Sequence, residues 1–102
     1  MRPILPTDLD IAARVLMTIP KIERRAFVAR LIAQADVADR YRKRLGRAHP
    51  HYGSGSLMAA ALRHDHQAPT RHCNDLYCAC LAEVLCGIAE YRTCGRAAKR
   101  AD

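Results

Sequence analysis

Apolar residues recur at helical spacing in four separate stretches of the chain. The longest stretch covers residues 20–45 and presents one apolar helix face: Phe27, Val28, Leu31, Ile32, Ala35, Ala38, Tyr41 and Leu45. Gly46 is expected to end this helix, because glycine accepts the left-handed backbone conformation common at helix C-termini. Two favourable ion pairs at i,i+4 spacing are expected along it: Asp36–Arg40 and Asp39–Lys43.

A shorter helix is predicted before this one. Thr7 is expected to cap it, with Asp10 three residues later completing a variant of the capping box and Asp8 lying near the positive end of the helix dipole. Its apolar positions are Leu9, Ala12, Ala13 and Leu16. Pro20 ends this helix and suits the first turn of the next.

Two further helices follow the long one. Ser54 or Ser56 is predicted to cap a short helix over residues 57–64, and Asn74 to cap the last helix. The apolar face of that last helix comprises Tyr77, Leu81, Val84, Leu85 and Ile88, with Cys78 beside it as a buried core thiol and Cys80, Cys86 and Cys94 pointing sideways or outward. No segment alternates apolar and polar residues as a strand does. The sequence therefore predicts an all-α fold, a small four-helix orthogonal or bundle-like domain.

The length of 102 residues fits one domain, which we place at residues 1–94, followed by a flexible basic tail at 95–102. The chain has no Trp and one Phe, so Ala, Leu, Ile and Val must fill the core. Small side chains remove less apolar area from water at each contact. A core of this kind favours a domain that gains stability from a partner or from self-association as a homo-oligomer.

The formal net charge of +7 favours a polyanionic partner, either an acidic protein surface or nucleic acid. The N-terminal segment lacks the apolar core of a signal peptide. No apolar run approaches the roughly 20 residues that a membrane-spanning helix requires. We therefore expect a cytoplasmic protein that does not enter a membrane and whose five cysteines are reduced thiols.

The basic elbow, which we define as residues 40–56, carries the candidate binding residues. They are Arg40, Arg42, Lys43, Arg44, Arg47, His49, His51, Ser54 and Ser56. Its cations fan around the helix end, an arrangement that suits docking onto phosphates or carboxylates more than reading base edges. The Gly-Ser turn at 53–56 can present backbone N–H groups to an anion but lacks the lysine of a P-loop. The alternative is a cationic helix end that complements the dipole, followed by an ordinary capped turn.

The histidines and cysteines do not predict a metal site. All five histidines fall between positions 49 and 72 and all five cysteines between 73 and 94, which suggests as ligands His64, His66, His72, Cys73, Cys78 and Cys80. No two cysteines have C-x-x-C spacing, and Cys78 and Cys80 lie about 200° apart on a helix. Only the loop trio His66, His72 and Cys73 can converge readily. We expect no metal and no cofactor.

No pattern of catalytic residues is present, so we expect no enzymatic activity. Adjacent residues such as His72 and Cys73 rarely present both groups to one substrate. The carboxylate pairs Asp8/Asp10 and Asp36/Asp39 are explained by capping and ion pairing. The first hypothesis is therefore a non-enzymatic interaction or regulatory module that docks an acidic partner through the basic elbow.

Two alternatives stay open at this point. One is a nucleic-acid-associated accessory protein, in transcription or phage-like DNA packaging, that contacts phosphates through the same elbow together with Arg96, Lys99 and Arg100. The other is a sensor based on metal or thiol chemistry.

Several motifs resemble those of short alphaproteobacterial proteins that carry a domain of unknown function. The matching segments are Arg2-Pro3, Thr7-Asp8, Ala12-Ala13-Arg14-Val15-Leu16, Ala38-Asp39-Arg40, Leu45-Gly46-Arg47-Ala48-His49-Pro50, Gly53-Ser54-Gly55-Ser56-Leu57-Met58-Ala59-Ala60-Ala61, Asp75-Leu76-Tyr77 and Cys80-Leu81. The resemblance covers most of residues 2–92. It implies an entirely helical, cytoplasmic bacterial protein of one domain, and it carries no established activity or catalytic residues.

Overall fold

Helices form most of the chain in the computed structural model, which describes residues 1–68 and 74–101, with side chains through position 93. Across those residues four α-helices follow one another: α1 (Pro6–Leu16), α2 (Arg24–Leu45), α3 (Leu57–Ala61) and α4 (Asp75–Ala101). A 3-10 turn, Lys21–Glu23, leads into α2. The predicted all-α, four-helix fold is confirmed. The division into a domain at 1–94 and a tail at 95–102 stays a prediction.

The core lies where α3 and α4 meet both α1 and α2. Its buried side chains are Ile11, Ala12, Ala13, Val15 and Leu16 from α1, Phe27, Val28, Leu31, Ile32 and Ala35 from α2, Leu57, Ala60 and Ala61 from α3, and Tyr77, Cys80, Val84 and Ile88 from α4. Aliphatic and small residues fill most of this core, as the composition predicts. The helices therefore approach each other closely but bury little area per contact.

The first helix begins earlier than predicted. Leu5 is its N-cap and Pro6 its first residue, because proline already has helical φ and lacks the N–H that would be unsatisfied there. The Asp8 carboxylate accepts a hydrogen bond from the Leu5 backbone N–H at 2.7 Å. The prediction of Thr7 as cap with Asp10 as its partner is wrong, since Asp10 binds the side chains of Arg14 and Tyr77.

The start of α2 also differs from the prediction, while its end is confirmed. The 3-10 turn after Pro20 delays the α-helix to Arg24, whose Nε donates to the Leu16 carbonyl at 3.2 Å and caps the end of α1. Gly46 ends α2 in the left-handed region with φ 71°. Leu45, placed on the apolar face by periodicity, is 52% exposed, because the last turn of α2 extends beyond the core.

The caps of the two later helices follow the sequence. Ser56, one of the two candidate caps of α3, accepts the Ala59 N–H at 3.0 Å, although α3 ends at Ala61 and not at residue 64. The Asn74 side chain accepts the Tyr77 N–H at 2.9 Å at the start of α4. Local capping chemistry thus determines both starting points.

The prediction for Cys78 and Cys80 on α4 is wrong, whereas that for Cys86, which is exposed, is confirmed. Cys80 is fully buried and Cys78 is exposed. Tyr77, Cys80, Val84 and Ile88 lie at spacings of three and four residues and form the buried face, so the helix is rotated relative to the predicted stripe. Leu85 is accordingly 49% exposed. The side chain of Cys94 lies outside the described part of the chain.

Helices α2 and α4 run in the same direction and in close contact. Gly87 makes this approach possible, since a Cβ at that position would lie 2.3 Å from Cγ1 of Val28. Farther along both helices, the Tyr91 hydroxyl donates to the Asp36 carboxylate at 3.0 Å. The two contacts fix α4 against the middle of α2.

Candidate functional site: the basic elbow

The turn of the basic elbow is anchored on α2 through Gly55. This residue has φ 97°, and a Cβ there would lie 2.7 Å from the Cα of Asp39. The Arg2 N–H also donates to the Gly55 carbonyl at 2.9 Å. A side chain at position 55 would push the turn away from α2, so glycine sets how the elbow folds back.

Two carboxylates on α2 organise the interior side of the elbow. The amino group of Met1 lies between them, 2.7 Å from Asp36 Oδ1 and 3.4 Å from Asp39 Oδ2. The Asp39 side chain is only 4% exposed and that of Asp36 16% exposed. No local pattern in the sequence indicates this contact, because it joins residues more than thirty positions apart.

The two ion pairs predicted on α2 are confirmed. Arg40 lies 2.5 Å from Asp36, and Lys43 lies 3.1 Å from Asp39. Arg42 adds a third contact, 3.2 Å from Asp39. Three of the predicted binding cations therefore already contact carboxylates of their own helix.

These contacts shift the titration of both carboxylates. Burial acts to raise the pKa of Asp39, but hydrogen bonds from Lys43 and Arg42 and the Met1 amino group outweigh it and lower the pKa to about 2. Burial also acts to raise the pKa of Asp36. Hydrogen bonds from the Met1 amino group and Tyr91 outweigh this effect, so the pKa of Asp36 is lowered as well. Both groups are therefore ionised near neutral pH.

Arg44 and Arg47 differ from the other elbow cations. Both are exposed, and neither joins an ion pair with any residue that the structure describes. Three basic side chains of the elbow face only two carboxylates, those of Asp36 and Asp39, so a positive surplus remains before these two arginines are added. Among the described residues, Arg44 and Arg47 are therefore the basic side chains of the elbow without a carboxylate contact.

His49 closes the turn of the elbow. Its Nδ1 accepts hydrogen bonds from the backbone N–H groups of His51 at 3.0 Å and Tyr52 at 3.1 Å. Its ring stacks on that of Tyr52 at 4.8 Å and meets the edge of Tyr41 at 4.8 Å. His49 therefore has a structural role, whereas His51 is exposed.

The first turn of α3, which the Gly-Ser turn opens, has internal partners for two of its backbone N–H groups. The Met58 N–H donates to Asp8 Oδ1 at 2.9 Å, and the Ala59 N–H donates to the Ser56 hydroxyl. A carboxylate of the protein itself thus occupies the start of α3. Ser54 and Ser56 remain predicted binding residues, but these two donors are already engaged.

A groove beside the elbow combines apolar and cationic side chains. It has a volume of about 420 Å³ and is lined by Val37, Arg40, Tyr41, Arg44, Leu45 and His49. Val37 and Leu45 are 46% and 52% exposed. We call this the elbow groove; its lining combines the apolar side chains of Val37 and Leu45 with Arg40 and Arg44.

A second groove continues along the contact between α2 and α4. It has a volume of about 430 Å³ and is lined by Ala29, Ile32, Ala33, Asp36, Val37, Arg40, Gly87, Glu90 and Tyr91. Val37 and Arg40 line both grooves. We call this second one the α2–α4 groove. The two grooves adjoin at Val37 and Arg40, and we call their combined length along α2 the path.

The residues considered for metal or thiol chemistry do not come together in the described ranges. Across residues 1–68 and 74–93, no three His, Cys, Asp or Glu side chains are grouped as metal ligands would be. His72 and Cys73 of the predicted loop trio lie outside the described residues. Burial raises the pKa of the Cys80 thiol, so this cysteine is poorly suited to act as a thiolate.

The comparisons place the chain in a family without supplying an activity. Among the described residues no helix has the length and apolar character needed to cross a membrane. No curated protein and no solved structure matches the chain. The model of one protein family, described as a domain of unknown function, matches residues 2–88. Because this match covers most of the chain, the protein belongs to the DUF7742 family.

Proposed function

We propose that the protein is a non-enzymatic interaction module of the cytoplasm that binds an acidic protein surface through the basic elbow. The observation that carries the proposal is the elbow groove, in which arginines lie beside exposed apolar side chains. Arg44 and Arg47 provide charge that no described carboxylate neutralises. Carboxylates of a partner would supply the missing opposite charge.

The apolar part of the groove favours a protein partner over nucleic acid. Val37 and Leu45 gain from contact with apolar side chains, which a phosphate backbone does not provide. Tyr52, an aromatic residue of the elbow, already contacts the His49 ring and the Arg63 guanidinium, whose Cζ lies 5.1 Å from the Tyr52 ring centre. Stacking on a base would have to displace one of these neighbours.

The proposal is tested by affinity capture from native cells with matched charge-reversal variants. The test variant is Arg44→Glu/Arg47→Glu. The control is Lys21→Glu/Arg30→Glu, which makes the same change in net charge at exposed positions away from the elbow. Cross-linking should place an acidic surface of the captured protein at the elbow, and that protein should be lost with the test variant alone.

A gel shift tests the alternative, a function in binding nucleic acid. Titration with DNA and RNA at two salt concentrations should give no shift that depends on Arg44 and Arg47. Salt-sensitive binding that disappears in Arg44→Glu/Arg47→Glu would favour the nucleic-acid function instead. Sedimentation of the purified protein tests the separate prediction of self-association.

A further inference from the structure

We infer that the partner contributes an amphipathic α-helix that lies antiparallel to α2 along the elbow groove and the α2–α4 groove. This inference rests on the proposed function and specifies the form of the acidic partner. Its first basis is that the two grooves adjoin, since Val37 and Arg40 line both. One elongated ligand can therefore occupy both.

The dimensions of this path fit a helix. Its lining along α2 runs from Ala29 to Leu45, sixteen residue steps and hence about 24 Å at 1.5 Å per residue. A partner helix of about 16 residues covers that distance. Side chains at three- and four-residue spacing on such a helix pack between the ridges of α2 and α4.

Charge distinguishes the two ends of the path. Arg44 lines the elbow groove alone, and Arg40, which is paired with Asp36, lies where the two grooves adjoin. Glu90 lines the α2–α4 groove alone, with a side chain that is 60% exposed. A complementary helix carries carboxylates toward the arginines and a basic residue toward Glu90. Glu90 also contacts Arg25, so the acidic end of the partner is expected to contribute more than its basic end.

The helix dipoles select the antiparallel orientation. The C-terminal end of α2, with its partial negative charge, lies at the elbow. An antiparallel partner places its N-terminal end there, and its acidic residues then also stabilise its own dipole. The same orientation puts its basic residue near its C-terminus, which is again favourable. Apolar residues between these ends contact Val37.

Selection from a phage-displayed library of random 18-residue segments tests this form of partner. The intact protein is the target, and Arg44→Glu/Arg47→Glu is used for counter-selection. Enriched segments should have apolar residues at i, i+3, i+4 and i+7, with Asp or Glu in the N-terminal half and Lys or Arg in the C-terminal half. Their synthetic peptides should become helical on binding.

Two further comparisons make the result specific. Val37→Glu should weaken binding of an enriched peptide at least tenfold, whereas Ile22→Glu, at a residue 92% exposed outside both grooves, should change it less than twofold. A peptide with its acidic and basic halves exchanged should bind at least tenfold more weakly. Thermal unfolding of Val37→Glu shows whether the variant remains folded.

The failures of the two proposals are distinguishable. Acidic segments that bind the elbow in an extended form, or with equal affinity after exchange of their halves, would overturn the antiparallel helix. The proposal of an acidic protein partner would then still stand. Enriched segments that lack acidic residues, or that bind the counter-selection variant equally, would overturn both. Absence of any enriched segment would overturn the helix, while affinity capture would decide the proposed function independently.

Discussion

The carboxylate of Asp8 in α1 accepts a hydrogen bond from the backbone N–H of Met58 in α3, over 2.9 Å. Its second oxygen accepts the N–H of Leu5 at 2.7 Å, so one side chain serves the N-terminal ends of two helices. Because Asp8 is only 3% exposed, its carboxylate needs these two N–H groups as hydrogen-bond donors in place of water. This contact ties the far side of the elbow turn to the core.

Replacement of Asp8 by Ala should lower the free energy of unfolding by about 2–3 kcal/mol, because two backbone N–H groups lose their acceptor. Urea unfolding at pH 7 measures the change. Asp75→Ala, at an exposed position in the first turn of α4, is the matched control and should cost less than about 1 kcal/mol. Equal losses in the two variants would show that Asp8 acts only through a helix dipole.

Replacement of Gly87 by Ala should destabilise the protein by about 1–3 kcal/mol through overpacking against Val28. Helix propensity alone predicts the opposite sign, a gain of up to about 1 kcal/mol for Ala over Gly in α4. Thermal or urea unfolding therefore distinguishes the two effects by sign.

A second variant checks that the contact with Val28 is the cause. Adding Val28→Ala to Gly87→Ala should cost less than the sum of the two single changes, since the removed methyl groups make room for the new Cβ. Strict additivity would contradict the close-approach explanation.

Acid should weaken the protein through Asp39. Its pKa is lowered to about 2 in the folded protein, whereas an unfolded aspartate titrates near 3.9. The unfolded state therefore binds the proton first, and the stabilisation present above about pH 4 is lost as the pH falls toward 2. The loss should be at most about 2.5 kcal/mol.

Urea unfolding at several pH values between 5 and 2, on the intact protein and on Asp39→Asn, measures this contribution. The variant should be less stable at pH 5 and should lose less stability on acidification. Parallel pH profiles would show that Asp39 does not titrate abnormally. Asp36→Asn provides a second profile, since the pKa of Asp36 is lowered as well.

The cysteines of α4 should differ in reactivity. Cys86 is exposed, whereas Cys80 is fully buried with its pKa raised by burial. Mass-spectrometric mapping after brief alkylation of the native protein should find Cys86 modified well before Cys80. Comparable rates under native conditions, and not only in denaturant, would contradict the burial of Cys80.

Local chemistry made much of the fold predictable. Gly46, Ser56 and Asn74 each act within four residues of their own position. The sequence predicts Gly46 and Asn74 directly and Ser56 as one of two candidate caps. The apolar period also placed most of the core. It misplaced Cys78 and Cys80, because small residues on both sides of α4 leave its rotation to tertiary packing.

The candidate site was less predictable because its contacts are long-range. The sequence indicated the cations of the elbow and the pairs of Asp36 and Asp39, but not that Met1 and Tyr91 approach Asp36 from distant parts of the chain. It also did not reveal that Asp8 occupies the N–H of Met58. The charge pattern predicts the basic elbow as the candidate site, whereas tertiary packing determines which of its cations contact carboxylates of the same chain.

The proposed function requires that Arg44 and Arg47 bind carboxylates of a protein partner. Calorimetric titration of the captured partner measures this most directly, with the intact protein, Arg44→Glu/Arg47→Glu and Lys21→Glu/Arg30→Glu compared in one buffer. The Kd should be at least tenfold weaker for the elbow variant and within threefold of the intact protein for the control. Equal weakening in both variants, or none in either, would exclude Arg44 and Arg47 as the residues that bind the partner.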